Sequence, residues 1–224
     1  MPPILELKKL VKTFGGIHAV DHANFSIEEN SITGLIGPNG AGKTTAFDLI
    51  SGLLLPDSGE IHFRHENITD LPAWKRARIG IGRTFHAIRL FPELTVLDNV
   101  LAVLPRIPDS FLDIFTPLKK KKWEFHEQAM DYLNMIDLQE KASLSSSSLS
   151  YGQKKLLEII RAVATNADVL LLDEPAAGVN RTMLQRIIEL ILKLKSQGKT
   201  IIIVEHDMNF VMNLCEKIIV MDRG

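Results

Sequence analysis

The sequence predicts an α/β domain built on a parallel, doubly wound sheet. Two continuous apolar runs, Val169–Leu172 and Thr200–Val204, have the composition of strands that are buried on both faces. Between them lies Arg181–Gln197, whose apolar residues recur at helical spacing. A glycine-rich stretch, Gly37–Thr44, joins another short apolar strand to a helix. This alternation of strands and helices favours parallel strands joined by crossover helices.

The remaining elements follow from the same signals in chain order. Strands are expected where short apolar runs are bounded by Gly, Pro, Asp and Ser, and helices where apolar residues are spaced by three or four. The predicted strands are Ile4–Phe14, His18–Ile27, Ser31–Ile36, Glu60–Phe63, Ile79–Phe85, Val169–Leu172, Thr200–Val204 and Lys217–Met221. The predicted helices are Thr45–Ser51, Pro72–Arg78, Leu94–Leu104, Lys120–Ile136, Tyr151–Thr165, Arg181–Gln197 and Asp207–Glu216.

The chain is expected to form one domain, residues 1–224, with a helical insertion. Residues 1–93 and 151–224 are assigned to the core and an antiparallel β piece, and residues 94–150 to a mostly helical subdomain. The proline-punctuated segment Pro105–Pro117 is interpreted as an irregular connection. The serine-rich segment Ser143–Ser150 is interpreted as a hinge that ends the insertion.

The composition excludes several classes of protein. A net charge of −1 gives no electrostatic reason to expect nucleic acid as a partner. No apolar run approaches the roughly 18 residues that a membrane span needs, and Met1–Lys12 has no signal-peptide pattern. The single cysteine, Cys215, excludes an internal disulfide and is compatible with a reducing cytosol. The sequence therefore predicts a cytosolic protein that reaches a membrane only through a partner.

The glycine-rich stretch fits the pattern G-x-x-x-x-G-K-[ST], and its strand–loop–helix setting predicts a phosphate site. Glycines allow successive backbone N–H groups to face an anion, and the helix adds its positive end. Lys43 is expected to reach the β- and γ-phosphates of a nucleotide, and the Thr44 hydroxyl to bind Mg²⁺. The predicted nucleotide-binding residues in this stretch are Gly37, Pro38, Asn39, Gly40, Ala41, Gly42, Lys43, Thr44 and Thr45.

The second half of the predicted site follows two buried strands. Asp173 and Glu174 come directly after Val169–Leu172, at the strand end where α/β sheets gather ligands. Asp173 is expected to hold Mg²⁺ alongside Thr44, and Glu174 to act as general base on the attacking water or to position that water. His206 follows the next strand at the same edge and is a candidate contact for the γ-phosphate.

The segment Leu149–Gln153, with the sequence LSYGQ, identifies the family. It resembles the LSGGQ signature of ATP-binding-cassette (ABC) ATPases, with Tyr151 at the first glycine position. The resemblance covers nearly the whole chain. It implies a P-loop NTPase (RecA-like) core with an antiparallel β subdomain and an α-helical subdomain that carries the signature.

Further positions match the ABC family residue by residue. Phe14 stands where the family has its adenine-stacking aromatic residue, and His206 where it has its switch histidine. The run Ala176–Asn180 matches the family's D-loop, and His86 stands at the glutamine of its Q-loop. The family glutamine contacts Mg²⁺ and the attacking water, so His86 is a further candidate for the nucleotide and metal site. Because an imidazole changes charge near neutral pH, one hypothesis is that His86 keeps a weakened or pH-dependent form of this role. The alternative is that hydrolysis merely tolerates the histidine.

The resemblance also implies partners. In the family, two ATPase subunits form a head-to-tail dimer. Each ATP then lies between the phosphate loop of one subunit and the signature segment of the other. In this chain the signature residues that would face ATP are Ser150, Gly152 and Gln153. Transmembrane permease subunits bind this dimer at the cytoplasmic side of the inner membrane, with an indirect link to a substrate-binding protein. Homodimer or heterodimer, direction of transport and cargo stay open.

Within ABC ATPases, the chain is most similar to the ATPase subunits of the bacterial branched-chain amino-acid importer. Urea importers and the lipopolysaccharide-export ATPase share much of the pattern, and they remain alternatives. The runs that carry the similarity are Phe14–Gly16, Gly82–Phe85, Arg89–Phe91, Leu149–Gln153, Ala176–Asn180 and Val204–Met208. Relatives usually continue past the position of Gly224 with another strand and one or two helices.

Two other classes are less consistent with the sequence. Soluble ABC ATPases of translation or DNA repair have two cassettes or a long coiled-coil insertion, whereas this chain has one cassette and no long heptad run. A P-loop kinase for small molecules would have no use for the signature segment. The sequence therefore predicts the ATPase subunit of a transporter.

Overall fold

The computed structural model describes residues 3–105 and 118–224, with residues 118–122 by their backbone alone. Nine strands and seven α-helices lie in these ranges. The strands are β1 (Pro3–Phe14), β2 (Ile17–Glu28), β3 (Ile32–Ile36), β4 (Ser58–Phe63), β5 (Glu66–Asn67), β6 (Ile81–Arg83), β7 (Val169–Asp173), β8 (Thr200–Val204) and β9 (Lys217–Val220). The helices are α1 (Lys43–Ser51), α2 (Ala73–Arg78), α3 (Val96–Leu101), α4 (Leu118–Asn134), α5 (Tyr151–Ala164), α6 (Arg181–Ser196) and α7 (Met208–Leu214).

A five-stranded parallel sheet forms the centre, in the order β6-β7-β8-β3-β9. Successive side chains of β7 enter opposite cores, since Leu170 and Leu172 pack with the helices of one face. Val169 and Leu171 pack on the other face, together with α1 and the antiparallel sheet. Burial of each large aliphatic side chain contributes about 1.5–3 kcal/mol to folding. The predicted parallel sheet, buried on both faces, is confirmed.

A second, antiparallel sheet has the order β2-β1-β4-β5. Its buried residues Leu5, Leu7 and Ile61 belong to the same core as Phe47 of α1 and Leu35 of β3. Helix α1 therefore lies in the core shared by the two sheets, which fixes the direction of its N-terminus.

Several predicted boundaries differ from the structure. Strand β6 is three residues long because Ile79 is the C-cap of α2 and Gly80 turns the chain with a φ of +109°. Helix α3 begins only after Thr95, whose side chain caps it, and ends at Leu101. The two-residue strand β5 gave no periodic signal in the sequence. The predicted connection Pro105–Pro117 lies almost wholly outside the described residues.

The serine-rich segment is packed structure, so its interpretation as a hinge is wrong. Residues Ser146–Ser148 form a short 3₁₀ helix, and Ser146 is buried. Its hydroxyl donates to the carbonyl of Phe91 at 2.8 Å, and a backbone bridge joins Ser145 to Thr95. Serine hydroxyls can replace water as partners of loop backbone groups, so a run of serines does not by itself indicate flexibility.

A buried arginine holds the end of α1. Arg76 of α2 is fully buried, and its guanidinium donates to four backbone carbonyls, those of Leu49, Ile50, Thr69 and Leu71. Burial lowers its pKa to about 10, so the group stays charged at neutral pH. A cation is favourable at the carbonyl end of a helix, and here it also binds carbonyls that the helix leaves without partners.

Replacement of Arg76 by methionine should therefore destabilise the domain. The change leaves several buried carbonyls without donors, and we expect the free energy of unfolding in urea to fall by about 3–5 kcal/mol. The matched control is Arg78→Met on the same helix, whose exposed guanidinium lies 5.0 Å from the ring of Trp74. This control should lose about 1 kcal/mol or less. Equal losses in the two variants would contradict the assignment.

Candidate active site

The phosphate loop, Gly37–Thr44, connects β3 to α1, and two of its glycines are sterically required. Gly42 is the N-cap of α1 with a φ of +94°, and a Cβ there would lie 2.0 Å from the carbonyl oxygen of Ala19. Gly37 has a φ of +153°, and a Cβ there would lie 2.1 Å from the carbonyl oxygen of Met221. Both clashes are with backbone atoms, so neither can be relieved by a side-chain rotation. The loop can adopt this shape only with glycine at these positions.

Lys43, the first residue of α1, is buried, and its ammonium group folds over the loop. Its Nζ donates to the carbonyls of Gly37 at 2.8 Å and Pro38 at 2.9 Å. Burial lowers the pKa of Lys43, and the carboxylates of Glu174 and Asp173 act in the opposite direction. The Lys43 ammonium is therefore held at the loop by two carbonyls, and the two nearby carboxylates favour its charged form.

Asp173 ends β7 and is held by two residues that the sequence analysis did not assign to the site. Its N–H donates to Thr84 Oγ1 at 3.0 Å, and its Oδ2 lies 3.7 Å from Arg83 Nη2. Burial raises the pKa of Asp173, and the Arg83 guanidinium opposes this shift. Arg83 is itself held by Asp48 of α1 at 2.6 Å. Thus the end of β6 links the Asp173 carboxylate to the helix of the phosphate loop.

Glu174 has a left-handed backbone, with a φ of +47°, and its carboxylate lies between two imidazoles. Glu174 Oε2 is 3.1 Å from His86 Nδ1, and Oε1 is 3.0 Å from His206 Nε2. The side chain is mostly buried, at 19% exposure, whereas both histidines are exposed. The structure therefore brings His86, Glu174 and His206 together.

Glu205 is a further residue whose part the sequence analysis missed. It is 4% exposed, its Oε1 accepts from the N–H of Ala176 at 2.7 Å, and its Oε2 accepts from the N–H of His206 at 3.0 Å. Burial raises its pKa, and these backbone hydrogen bonds act against the shift. An acidic residue at the end of a buried strand was the available signal. Glu205 thus fixes both the start of the Ala176–Asn180 loop and the position of His206.

A cleft of about 350 Å³ lies beside the phosphate loop, Glu174 and His206. It is lined by the loop and first turn of α1 together with residues of three other segments: Ala19, Asn39–Thr45, Glu174, Val204 and His206. Phe14 ends β1 with its ring 46% exposed and does not line this cleft.

The signature segment, Leu149–Gln153, likewise lies apart from the cleft of its own chain. The Ser150 side chain caps α5 by accepting from the N–H of Gln153, while the Gln153 side chain accepts from the N–H of Ser150 at 3.1 Å. Gly152 packs so tightly on Met183 that a Cβ would lie 2.2 Å from its side chain. The capping box leaves the start of α5 rigid and its Ser150 exposed.

The fold and the cleft define a nucleotide-binding domain of the P-loop class, because the glycine loop, lysine and strand-end acid of that class meet at one sheet edge. The model of the ABC transporter family matches residues 20–177. The chain therefore belongs to the ABC transporter family. This confirms the predicted fold class and the predicted ABC ATPase, an ATP-binding cassette.

The similarity to known proteins extends over the full chain. The high-affinity branched-chain amino acid transport ATP-binding protein BraF of Pseudomonas aeruginosa is 41% identical, with 99% of this chain and 89% of that protein covered. A nucleotide-free ATP-binding cassette of an ABC transporter superposes with a TM-score of 0.88 at 34% identity, covering 100% of this chain and 89% of the other. A dimeric ATP-binding cassette in a post-hydrolysis state, bound to ADP and phosphate, superposes with a TM-score of 0.83 at 30% identity. The match covers 98% of this chain and 95% of the other.

Within residues 3–105 and 118–224, every helix is too short or too polar to cross a membrane.

Gly42→Ala should disrupt the phosphate loop. Because the new Cβ would lie 2.0 Å from a backbone oxygen, the loop must move, and we expect ATP affinity to fall about ten-fold or more in equilibrium titrations. The matched control is Gly198→Ala, at a residue outside the cleft where the φ is +87° and no atom lies within 4 Å. This control adds only the cost of a left-handed alanine, about 1–2 kcal/mol. An affinity of Gly42→Ala equal to that of the control would contradict the steric argument.

Proposed function

We propose that this chain binds MgATP, hydrolyses it, and thereby powers a membrane transporter for branched-chain or related amino acids. The observation that carries the proposal is the Glu174 carboxylate held between His86 and His206 beside the phosphate loop. The cargo is proposed because the relative from Pseudomonas aeruginosa is named for branched-chain amino acid transport. Urea and lipopolysaccharide transport are the alternatives.

The residues of the cleft suit ATP and Mg²⁺. Lys43 and the N–H groups at the start of α1 present donors and positive potential for the phosphates. Thr44 and Asp173 offer oxygen ligands, the type that Mg²⁺ prefers. The described residues contain no group of three or more His, Cys, Asp or Glu side chains that could hold a metal alone. This agrees with Mg²⁺ binding through one or two protein ligands together with nucleotide phosphates, where it neutralises phosphate charge.

Hydrolysis follows from the position of Glu174. Its carboxylate can accept the proton of a water that attacks the γ-phosphorus, and the phosphate then leaves ADP. His206 and His86 each hold one carboxylate oxygen, so the two rings fix the direction in which the carboxylate points. His206 and Lys43 also line the cleft, where His206 would contact the γ-phosphate and Lys43 would stabilise the charge that develops there.

A second copy of a cassette would complete the site. Ser150, Gly152 and Gln153 lie apart from the cleft of their own chain but start an exposed, capped helix, which suits the phosphates of ATP on a partner subunit. A solved cassette at 30% identity is dimeric with ADP and phosphate bound. Phe14, exposed at the end of β1, is then proposed to stack on adenine.

Permease subunits are proposed to bind between the two lobes, which would place the chain at the cytoplasmic side of the inner membrane. A groove of about 270 Å³ lies there, lined by residues that include Leu53, Phe85, Arg89, Val103 and Arg161. Its mixed apolar and cationic lining suits the end of a short permease helix, whose carbonyls favour cations. A substrate-binding protein would be linked only through the permeases, and nucleic acid is not expected as a partner.

Glu174→Gln tests the proposed chemistry. Gln cannot accept the proton, so we expect phosphate release to fall about 100-fold or more while ATP affinity stays within about two-fold. Glu189→Gln on the exposed face of α6 is the matched control and should leave both quantities unchanged. Undiminished phosphate release by Glu174→Gln would falsify Glu174 as the general base.

His86→Ala tests the position at which this chain departs from the family glutamine. Loss of the contact between Nδ1 and Glu174 frees one carboxylate oxygen, so kcat should fall about ten-fold with little change in ATP affinity. His86→Gln should recover most of the loss, because its amide can donate to the same oxygen. His22→Ala, at an exposed site on β2, serves as control. Equal kcat values for His86→Ala and the wild type would show that the imidazole has no part in hydrolysis.

A further inference from the structure

Helix α5 carries three charged residues spaced by three: Lys155, Glu158 and Arg161. We call them the charged ridge of α5. Lys155 is 2% exposed and Glu158 is 5% exposed. Charged side chains are buried this deeply only when they have partners, so the partners indicate what the ridge does.

At one end, the ridge holds the backbone of Glu174. Lys155 Nζ donates to the Glu174 carbonyl at 2.9 Å. The N–H of Glu174 donates to Val204 at 2.9 Å, and the N–H of Ala177 donates to the same Glu174 carbonyl at 3.2 Å. A non-glycine residue in the left-handed region costs about 1–3 kcal/mol and persists only where its surroundings enforce it. Lys155 supplies one of the three bonds that enforce it here.

At the other end, the ridge holds the loop between β6 and α3, residues 84–95. Glu158 Oε1 accepts from the N–H of Arg89 at 3.2 Å, and Arg161 Nη1 donates to the carbonyl of the same residue. The Arg161 guanidinium also lies 5.0 Å from the ring of Phe91. Both polar backbone groups of Arg89 are therefore bound to α5. Lys155 and Glu158 attract each other one turn apart, so the ridge is continuous.

We propose that Lys155 is a positioning residue for the catalytic carboxylate of Glu174, and that α5 connects the 84–95 loop to ATP hydrolysis. The inference rests on the proposed function, since it requires Glu174 to be the general base. A shift of α5 relative to β7 would remove the Lys155 bond. The Glu174 backbone could then leave the left-handed region, and its carboxylate would turn away from His86 and His206. Because the ridge is part of one 14-residue helix, the loop and the signature segment move together with Lys155.

The alternative is that Lys155 only fills space beneath Tyr151, whose ring centroid is 6.0 Å from its Nζ. Replacement of such a lysine would lower the stability of the domain, but it would not lower kcat selectively while leaving ATP affinity unchanged. The hydrogen bond of Lys155 goes to the Glu174 carbonyl and not to the phosphate loop, so a positioning role should leave ATP binding intact.

The test compares Lys155→Met, Lys155→Gln and Lys155→Arg with the wild-type chain, and the urea midpoint of each variant confirms its folding. We expect the neutral variants to lower kcat about ten-fold or more with ATP affinity within about two-fold. Lys155→Arg should restore kcat to within about three-fold, because a guanidinium can still donate to the Glu174 carbonyl. Lys154→Met, the same change at the neighbouring position, should match the wild type. Use of two neutral replacements keeps the test decisive if one does not fold.

Glu158→Gln and the double variant with Lys155→Met test the connection to the loop. If both residues act through one linkage in α5, the kcat of the double variant should lie within about two-fold of the kcat of Lys155→Met. If their roles are independent, the fold-losses in kcat of the two single variants should multiply. Multiplied losses overturn the linkage. If Glu174→Gln is inactive but the kcat of Lys155→Met lies within about two-fold of wild type, the positioning role of Lys155 is overturned while the role of Glu174 stands. Full activity of Glu174→Gln instead overturns the proposed function itself.

Discussion

The hydrogen bond from the Glu174 N–H to the Val204 carbonyl, at 2.9 Å, is the contact on which the site depends. It extends the ladder between β7 and β8 by one rung beyond Asp173, which pairs with Val204. Beyond this rung the backbone turns into the left-handed region, and the carboxylate reaches the histidine that follows β8. Because β7, β8 and β3 are adjacent and parallel, their carboxyl ends bring the acidic pair, the histidine and the phosphate loop to one edge.

Three buried cations hold the elements that carry the site. Arg76 binds carbonyls at the end of α1, Arg83 lies between Asp48 and Asp173, and Lys155 binds the carbonyl of Glu174. Each of these side chains is nearly inaccessible to water, and each has oxygen atoms as partners. Since an unpaired buried charge costs several kcal/mol, these groups hold their partners firmly. The domain thus uses charge to fix backbone segments whose own hydrogen bonds are incomplete.

The sequence predicted what local patterns determine. Continuous apolar runs gave β7 and β8 to within one residue, and the glycine pattern located α1 and its loop. Local sequence patterns failed where long-range contacts determine the structure. The serine-rich segment is an example, since it is ordered by hydrogen bonds to the carbonyls of Phe91 and Pro92. Arg83, Glu205 and Lys155 were missed for the same reason, because their partners are distant in sequence or are backbone atoms. A charged residue in an otherwise apolar stretch was the only sign of them.

The two departures from the family pattern have a common setting. Tyr151 replaces a glycine of the signature, and its ring packs 3.1 Å from the position that a Cβ of Gly178 would occupy. Gly178 belongs to the loop whose first N–H is held by Glu205, and Lys155 lies beneath the same tyrosine ring. His86 replaces a glutamine and contacts Glu174, whose carbonyl Lys155 holds. Both residues therefore lie in the contacts around Glu174, while Ser150 stays exposed. His86 contacts the side chain of Glu174, whereas Tyr151 packs beside the Ala176–Asn180 loop and over the lysine that binds the Glu174 carbonyl.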